Sequence, residues 1–502
     1  MKRLLSPLTY FFGLVLFVTF TLPASPIHAA SKIPKNVSDA IDSISQEEGI
    51  EIINELASDE YGGRLTGTPG QWLAAHLIAS RFKDAGLTPC GGSGTYHQNF
   101  NLATGTITGS PILEVKTSDL GYTKYEFGTN FICSGFSGSG DVRGEIVFCG
   151  YGVTEDNYDD YSNVDVNGKI VLIFPSTPLK SPQDRHQVTK WDNIGSKVNN
   201  AVDHGAAAVI MIRSNKNGQL GELIESVMWG DNKHQPDIPV IVIDRFVAAD
   251  IFIKSCQDLP VLQGIIQETT KPLSFNTGTR ARIKVEADFN PVAATSNVVG
   301  LLEGSHARLK NEYIVLGAHM DHVGTQGNDI MFPGANDNAS GIASLLEIID
   351  AFHSVGLRPR RSIIFVAFTG EEMGLKGSSY FVDHLPISKN KIKCMINLDM
   401  MGEGNKTLNI FSQQYPDITA KAQQANKNLY NLAMPVIPSG FGSDHASFVQ
   451  AGIPAAMFLT GGEYDYPYHH KHYHYREWMI NKELWKQATD TVLLSLWYLA
   501  ND

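Results

Sequence analysis

Short, unbroken apolar runs punctuate the second half of the chain. YIVLGAH (313–319), SIIFVAF (362–368), CMINLDM (394–400) and AAMFLT (455–460) have the length and continuity of strands buried on both faces. SNVVGLLEG (296–304) is a fifth. Between the first two, SGIASLLEIIDAFHSVG (340–356) repeats apolar residues at three- and four-residue spacings and stops at Gly356, which predicts a helix. Strands alternating with helices predict an α/β fold, a three-layer α/β/α sandwich around a mostly parallel sheet.

The first half reads differently. SDAIDSISQEEGIEIINELAS (38–58) and QWLAAHLIASRFKDAGL (71–87) have helical periodicity, with the Gly/Pro loop GGRLTGTPGQ (62–71) between them. From about 119 to 285, glycine clusters such as SGFSGSG frame the short runs GEIVFCG, GKIVLIF, AAAVIMI and IPVIVID, with modest helices at KVNNAVDHG and RFVAADIFIKS. Nothing there has catalytic spacing, so this stretch is expected to be a small α/β module inserted into the larger fold. The predicted organisation is a leader (1–30), an N-terminal part of the main domain (31–118), the insert (119–285) and the catalytic part (286–502).

Lys2 and Arg3 precede an apolar stretch from Leu8 to Leu22, followed by small residues up to Ala29 and Ala30. That is the pattern of a secretory signal peptide, and it predicts a secreted or periplasmic protein with no stable membrane insertion after cleavage. Loss of the two basic residues would take the formal charge from −12 to −14. So acidic a chain argues against a nucleic-acid partner. Of the five cysteines, none is in CxxC spacing, which argues against a thiolate zinc site. Cys133 and Cys149 are the pair whose spacing allows a disulfide. Nothing in the pattern speaks to oligomeric state.

Four of the apolar runs end on, or lead into, metal-capable side chains: His319 and Asp321; Glu371 and Glu372; Asp399; and a stretch from His469 to His474. Asp337 lies in GANDNASG (334–341), just before the helix. In an open α/β sheet, ligands bind beyond the carboxyl ends of the strands. Taken singly, each residue has a plain reading as a helix cap, a salt bridge or a solvated loop. Together they predict a metal site of imidazole and carboxylate, which suits zinc, with cobalt or manganese as alternatives. Residues i and i+2 of an extended segment share a side, so Asp321 is expected to receive the ring N–H of His319. Asp337 could bridge two cations, with Gly334 and Gly341 allowing close backbone approach. Of the adjacent acids, one could bind metal and the other act as general base. Asn338 or Ser340 is the expected helix cap.

HxD, GANDNASG, GEE (370–372), NLDM (397–400), SDHASF (443–448) and a final histidine, in that order, resemble the co-catalytic zinc aminopeptidases and their glutamate carboxypeptidase relatives. The likeness is strong over 286–502 and weaker over 45–118, through GGRLTGTPGQ and RFKDAGL. YDDYSNVDVNGKIVLIF (158–174) and HGAAAVIMI (204–212) give the insert the look of a protease-associated (PA) domain. The resemblance implies two Zn2+: His319 and Asp399 on one, Glu372 and a C-terminal histidine on the other, and Asp337 between them. It also implies Glu371 as general base, Asp321 as the support of His319, and Tyr468 as an oxyanion partner. His445 matches a motif position near the site that is not usually a ligand. The family's Tyr-His followed four residues later by an acid is broken here, because position 473 is Tyr. The last ligand is therefore His470 or His469.

The expected reaction is hydrolysis of peptide substrates by a water activated between the two ions. The loop 324–341 contains no Arg or Lys to clamp a terminal carboxylate, and the site is rich in anions that suit a free amine. That favours an aminopeptidase over a carboxypeptidase of the glutamate carboxypeptidase type. A catalytically inactive binding relative and a single-metal cyclase are disfavoured by the intact Asp337 and neighbouring motifs.

Overall fold

The computed structural model describes residues 33–118, 121–175, 177, 189–213, 234–328, 330–440, 442–461 and 480–502. The leader (1–30) and Tyr468, His469 and His470 lie outside them. Among the described residues, no helix is long and apolar enough to cross a membrane.

Where one N-terminal helix is expected over 38–58, the chain forms two, α1 (Lys35–Ser43) and α2 (Gln46–Leu56). The break comes at Ser45, whose side chain accepts the Glu48 N–H and so caps α2. Helix α3 (Pro69–Asp84) follows, and the chain turns at Gly86 in the left-handed region. The long strand β1 (His97–Ser118) leads into the insert, whose strands are β2 (Gly140–Cys149), β3 (Ile170–Ile173), β4 (Ala208–Ile212) and β5 (Val240–Ile243). Its helices are α4 (Ile194–Asp203), α5 (Arg245–Phe252) and α6 (Leu259–Thr269).

Strand β6 (Ser274–Leu302) joins the two parts of the molecule. Its first half pairs antiparallel with β2, and its last residues enter the main sheet. Between them it pairs with β1, with irregularities at Lys284/Glu286 and Asn290/Ala293. Position 285, the expected end of the insert, therefore falls inside a continuous strand.

The main sheet adds β7 (Tyr313–His319), β8 (Ser362–Phe368), β9 (Ile392–Leu398), β10 (Leu408–Phe411) and β11 (Ala455–Thr460). Its order is β6-β8-β7-β9-β11-β10, with the four central strands parallel and both edges antiparallel. The parallel strands are buried along nearly their whole length, which is why they read as unbroken apolar runs. Helices α7 (Gly341–Ser354), α8 (Lys376–Asp383), α9 (Pro416–Leu429), α10 (His445–Gln450) and α11 (Lys482–Asn501) complete the domain. From β7 the chain passes through α7 to β8 on one side, and then to β9 on the other. The strand order thus reverses at the carboxyl end of β7, and a crevice for ligands opens there.

None of the five cysteines forms a disulfide. Cys133 and Cys149 cannot meet, because their side chains enter different apolar cores.

Helix α7 carries a buried acid away from the crevice. Glu347 Oε2 accepts the Ser45 N–H at 2.7 Å, which ties the start of α2 to α7. Next to it, Arg81 of α3 pairs with both Glu48 and Asp350. Burial pushes the Glu347 carboxyl up to about 7; the Ser45 hydrogen bond opposes this, and Glu48 and Asp350 add to it. Between pH 4.5 and 7 the folded chain therefore holds a proton that the unfolded chain has released. Stability from this group falls as pH rises through that window. Glu347→Gln is expected to stabilise the protein by about 1–3 kcal/mol at pH 8 and hardly at all at pH 4.5. Urea denaturation at the two pH values measures the difference.

Candidate metal centre

The sequence places its acids at the strand ends, and the fold gathers them at the reversal point. His319 is the last residue of β7, and Asp399 directly follows the neighbouring strand β9. His319 Nε2 lies 3.3 Å from Asp337 Oδ1 and 3.4 Å from Asp399 Oδ1. Four ligands about 2.0 Å from a tetrahedral zinc stand about 3.3 Å apart, so these three atoms have the spacing of a metal's ligands. Asp399 Oδ1 is buried with no hydrogen-bond partner, which a cation would supply. His319, Asp337 and Asp399 form one group able to hold a metal, and His322, Asp337 and Glu372 form a second. Asp337 belongs to both. The donor set thus fits two cations bridged by one carboxylate.

The loop carrying Asp337 is fastened to the segment carrying Asp399. Asn338 Nδ2 donates to Leu398 O, and its Oδ1 accepts from Met400 N and Gly341 N. Ser340 Oγ accepts from Met401 N, and Asn336 Oδ1 from Gly402 N. Of the two expected caps, Asn338 therefore does the work, by bonding the Gly341 N–H that opens α7. The Asp337–Asn338 peptide is cis. Gly334 has φ +61°, and a Cβ there would strike the Asp337 carbonyl, the Arg64 guanidinium and the His322 ring. Gly341 is equally confined, against Asn338 and the Leu398 carbonyl.

Asp321 differs from expectation in detail. The His319 Nδ1 lies 3.2 Å from the Asp321 backbone carbonyl, while the carboxylate is 3.7 Å away. That carboxylate is engaged elsewhere: Oδ2 accepts from Thr66 Oγ1 at 3.0 Å, and Oδ1 from the Glu371 N–H at 3.3 Å. Asp321 supports His319 through its main chain and fixes the start of the Glu371-Glu372 turn through its side chain.

Of the two adjacent acids, Glu372 lies in the second ligand group and Glu371 in neither. Glu371 keeps part of its surface exposed while its carboxyl is withdrawn from water, and Glu372 is buried. Burial raises the Glu371 carboxyl well above the usual range; His319 opposes this, while Glu372, Asp399 and Asp444 add to it. Burial alone would lower the His319 imidazole, but Glu371, Asp399, Asp321 and Asp337 hold it well above its ordinary value. Burial also pushes Asp444 up to about 7, against the pull of His319 and Ser378. So many carboxylates packed out of water call for positive charge among them.

Two participants, His322 and Arg64, are absent from the sequence analysis, and Asp444 stands there only as part of SDHASF, with no role. His322, buried, lies with Nδ1 2.7 Å from Glu372 Oε1. Arg64, fully buried in the GGRLTGTPGQ loop, donates Nε to Met320 O, Nη1 to Leu56 O and Pro333 O, and Nη2 to Gly334 O. It braces both ligand-bearing loops and sets a positive charge behind Asp337, Asp321 and Glu372. Asp444, next to His445 at the start of α10, contributes a further buried acid. The only signals were the last letter of HMDH and an arginine in a glycine-rich loop. His445 itself is buried, and burial lowers its imidazole to about 4.

A largely parallel sheet with a buried, carboxylate-rich centre able to hold metal at its reversal point defines the class: a metallohydrolase of the zinc-exopeptidase architecture. Residues 297–496 match the model of peptidase family M28, and residues 116–251 that of the PA domain. The two matches together fit the branch of peptidase family M28 that carries an inserted PA domain. It is 26% identical to aminopeptidase YwaD of Bacillus subtilis over 99% of this chain and 94% of that protein. A leupeptin-inactivating enzyme of Streptomyces exfoliatus is 38% identical over 31% of this chain, and a probable leucine aminopeptidase 2 of Aspergillus oryzae is 34% identical over 34%. The chain spans about a third of the length of each of these two, 34% in both cases. Among solved structures, an aminopeptidase from Aneurinibacillus sp. strain AM-1 superposes with TM-score 0.65 at 22% identity, covering 93% of this chain and 96% of that one. A zinc aminopeptidase from Bacillus subtilis gives 0.62 at 23%, covering 91% and 96%.

Proposed function

We propose that the protein is an exported dizinc aminopeptidase that releases N-terminal residues from peptides. The observation that carries this reading is the pair of metal-capable groups sharing Asp337 at the strand ends, with Glu371 beside them. The names of the full-length relative from Bacillus subtilis and of the two fold neighbours support it, and the leader pattern in 1–30 supports export.

His319 and Asp399 would hold one ion, Glu372 the other, and Asp337 both, with His470 or His469 as a further ligand. Two such ions would supply a water acidic enough to react near neutrality and Lewis-acid activation of the scissile carbonyl. Glu371 takes a proton from the attacking water as its oxygen bonds to the carbonyl carbon. As the C–N bond breaks, Glu371 passes that proton to the departing amine. Asp321 keeps Glu371 in place through its N–H.

The end of the peptide follows from charge. A carboxypeptidase needs a free cationic fork for the terminal carboxylate. Arg64, the arginine that touches these loops, is buried and spends four of its N–H groups on backbone carbonyls. The acids of the centre suit an ammonium instead. Aminoacyl anilides should therefore be hydrolysed and their N-acetylated forms should not. Hydrolysis of N-blocked peptides with a free terminal carboxylate, without hydrolysis of the aminoacyl anilides, would refute the aminopeptidase reading in favour of a carboxypeptidase.

A further inference from the structure

His322 lies within the centre, yet neither the family motif nor the mechanism gives it a task. It follows His319 by three residues, beyond the end of β7 where strand alternation no longer applies. Its backbone N–H donates to Arg64 O at 3.3 Å, and its ring packs where any side chain at Gly334 would stand. Arg64 in turn holds the carbonyls of Met320, Pro333 and Gly334. The ring is therefore fixed from three segments before it meets the acids. Its Nδ1 lies 2.7 Å from Glu372 Oε1 and 3.7 Å from Asp337 Oδ2.

Two ligands of one tetrahedral zinc stand about 3.3 Å apart when the bonds are about 2.0 Å, as His319 does from Asp337 and Asp399. At 2.7 Å, His322 and Glu372 are instead at the distance of a charge-assisted hydrogen bond. We infer that His322 is a positioning residue: its Nδ1–H donates to Glu372 Oε1, which orients that carboxylate so that Oε2 is presented to the second metal. Carboxylate ligands are commonly held this way, and loss of such a partner typically weakens metal binding by about 10–100-fold. The inference rests on the two-metal reading above.

The test counts zinc per chain in the mature protein after dialysis against buffers of graded free Zn2+. Wild type should fill in two steps. His322→Ala should keep the first step where it is and move the second to about 10–100-fold higher free zinc. His322→Asn places an amide N–H where Nδ1–H was, and should return the second step close to wild type. An unshifted second step in His322→Ala would overturn the inference. So would a His322→Asn variant that loses the second zinc, since an amide that replaces the donor but cannot replace an imidazole ligand would then mark His322 as a ligand. If His322→Ala does not fold, the Asn variant decides alone by the same criterion. A wild type that takes up one zinc at every concentration would instead refute the two-metal reading itself, a different outcome from either of these.

Discussion

Glu371→Gln should leave a folded, metal-loaded protein whose turnover falls by about 10²–10⁴-fold, the usual contribution of a general base. Glu371 lies outside both ligand groups, so its charge is not needed to hold a metal. Gln keeps the side chain's shape, and the backbone N–H that Asp321 accepts is untouched. The loss should therefore appear in kcat with metal content nearly unchanged. Measuring zinc per chain and anilide hydrolysis on the same sample separates the two. A variant that lost zinc along with activity would show that Glu371 is a ligand, and the roles of the two adjacent acids would have to be exchanged.

Asp337→Asn should be more damaging to the metals. Asp337 contributes Oδ1 to the His319 side and Oδ2 to the His322 side, so one substitution removes charge from both positions. Zinc affinity should fall by more than about 100-fold at each site, beyond the range for groups that only support a ligand, and activity should vanish at micromolar zinc. The fold should survive, because Asn336, Asn338 and Ser340 fasten the loop to the 398–402 segment. Circular dichroism alongside metal analysis checks both halves of the expectation. Loss of a single zinc would mean that the two sites do not share this carboxylate.

Much of the centre was legible in the sequence because the acids terminate apolar runs. A run of buried parallel strand announces its own end, so His319, Glu371, Glu372 and Asp399 could be placed at one edge of one sheet before any coordinates. The long pair β1 and β6 was harder. HQNFNLATGTITGSPILEVKTS (97–118) is half polar, and β6 runs from the strands of the insert into the main sheet, so neither has the uniform burial that marks a strand. His322 and Arg64 were missed for a related reason. Each sits on irregular backbone, where neither a period of two nor one of 3.6 says which way a side chain points. The disulfide expectation for Cys133 and Cys149 failed because spacing says nothing about which core a side chain enters. The Asp321 carboxylate stands away from His319 because Thr66 and the Glu371 N–H already hold it, which spacing along the sequence does not show.

The central claim is that two ions, bridged by Asp337, are both needed for removal of an N-terminal residue. Its most direct test strips the mature protein with a chelator and follows aminoacyl-anilide hydrolysis as zinc is returned in measured equivalents. The expected result is little activity through the first equivalent and a rise to full rate as the second is bound. Full activity at one equivalent, or activity that survives the chelator, would contradict it.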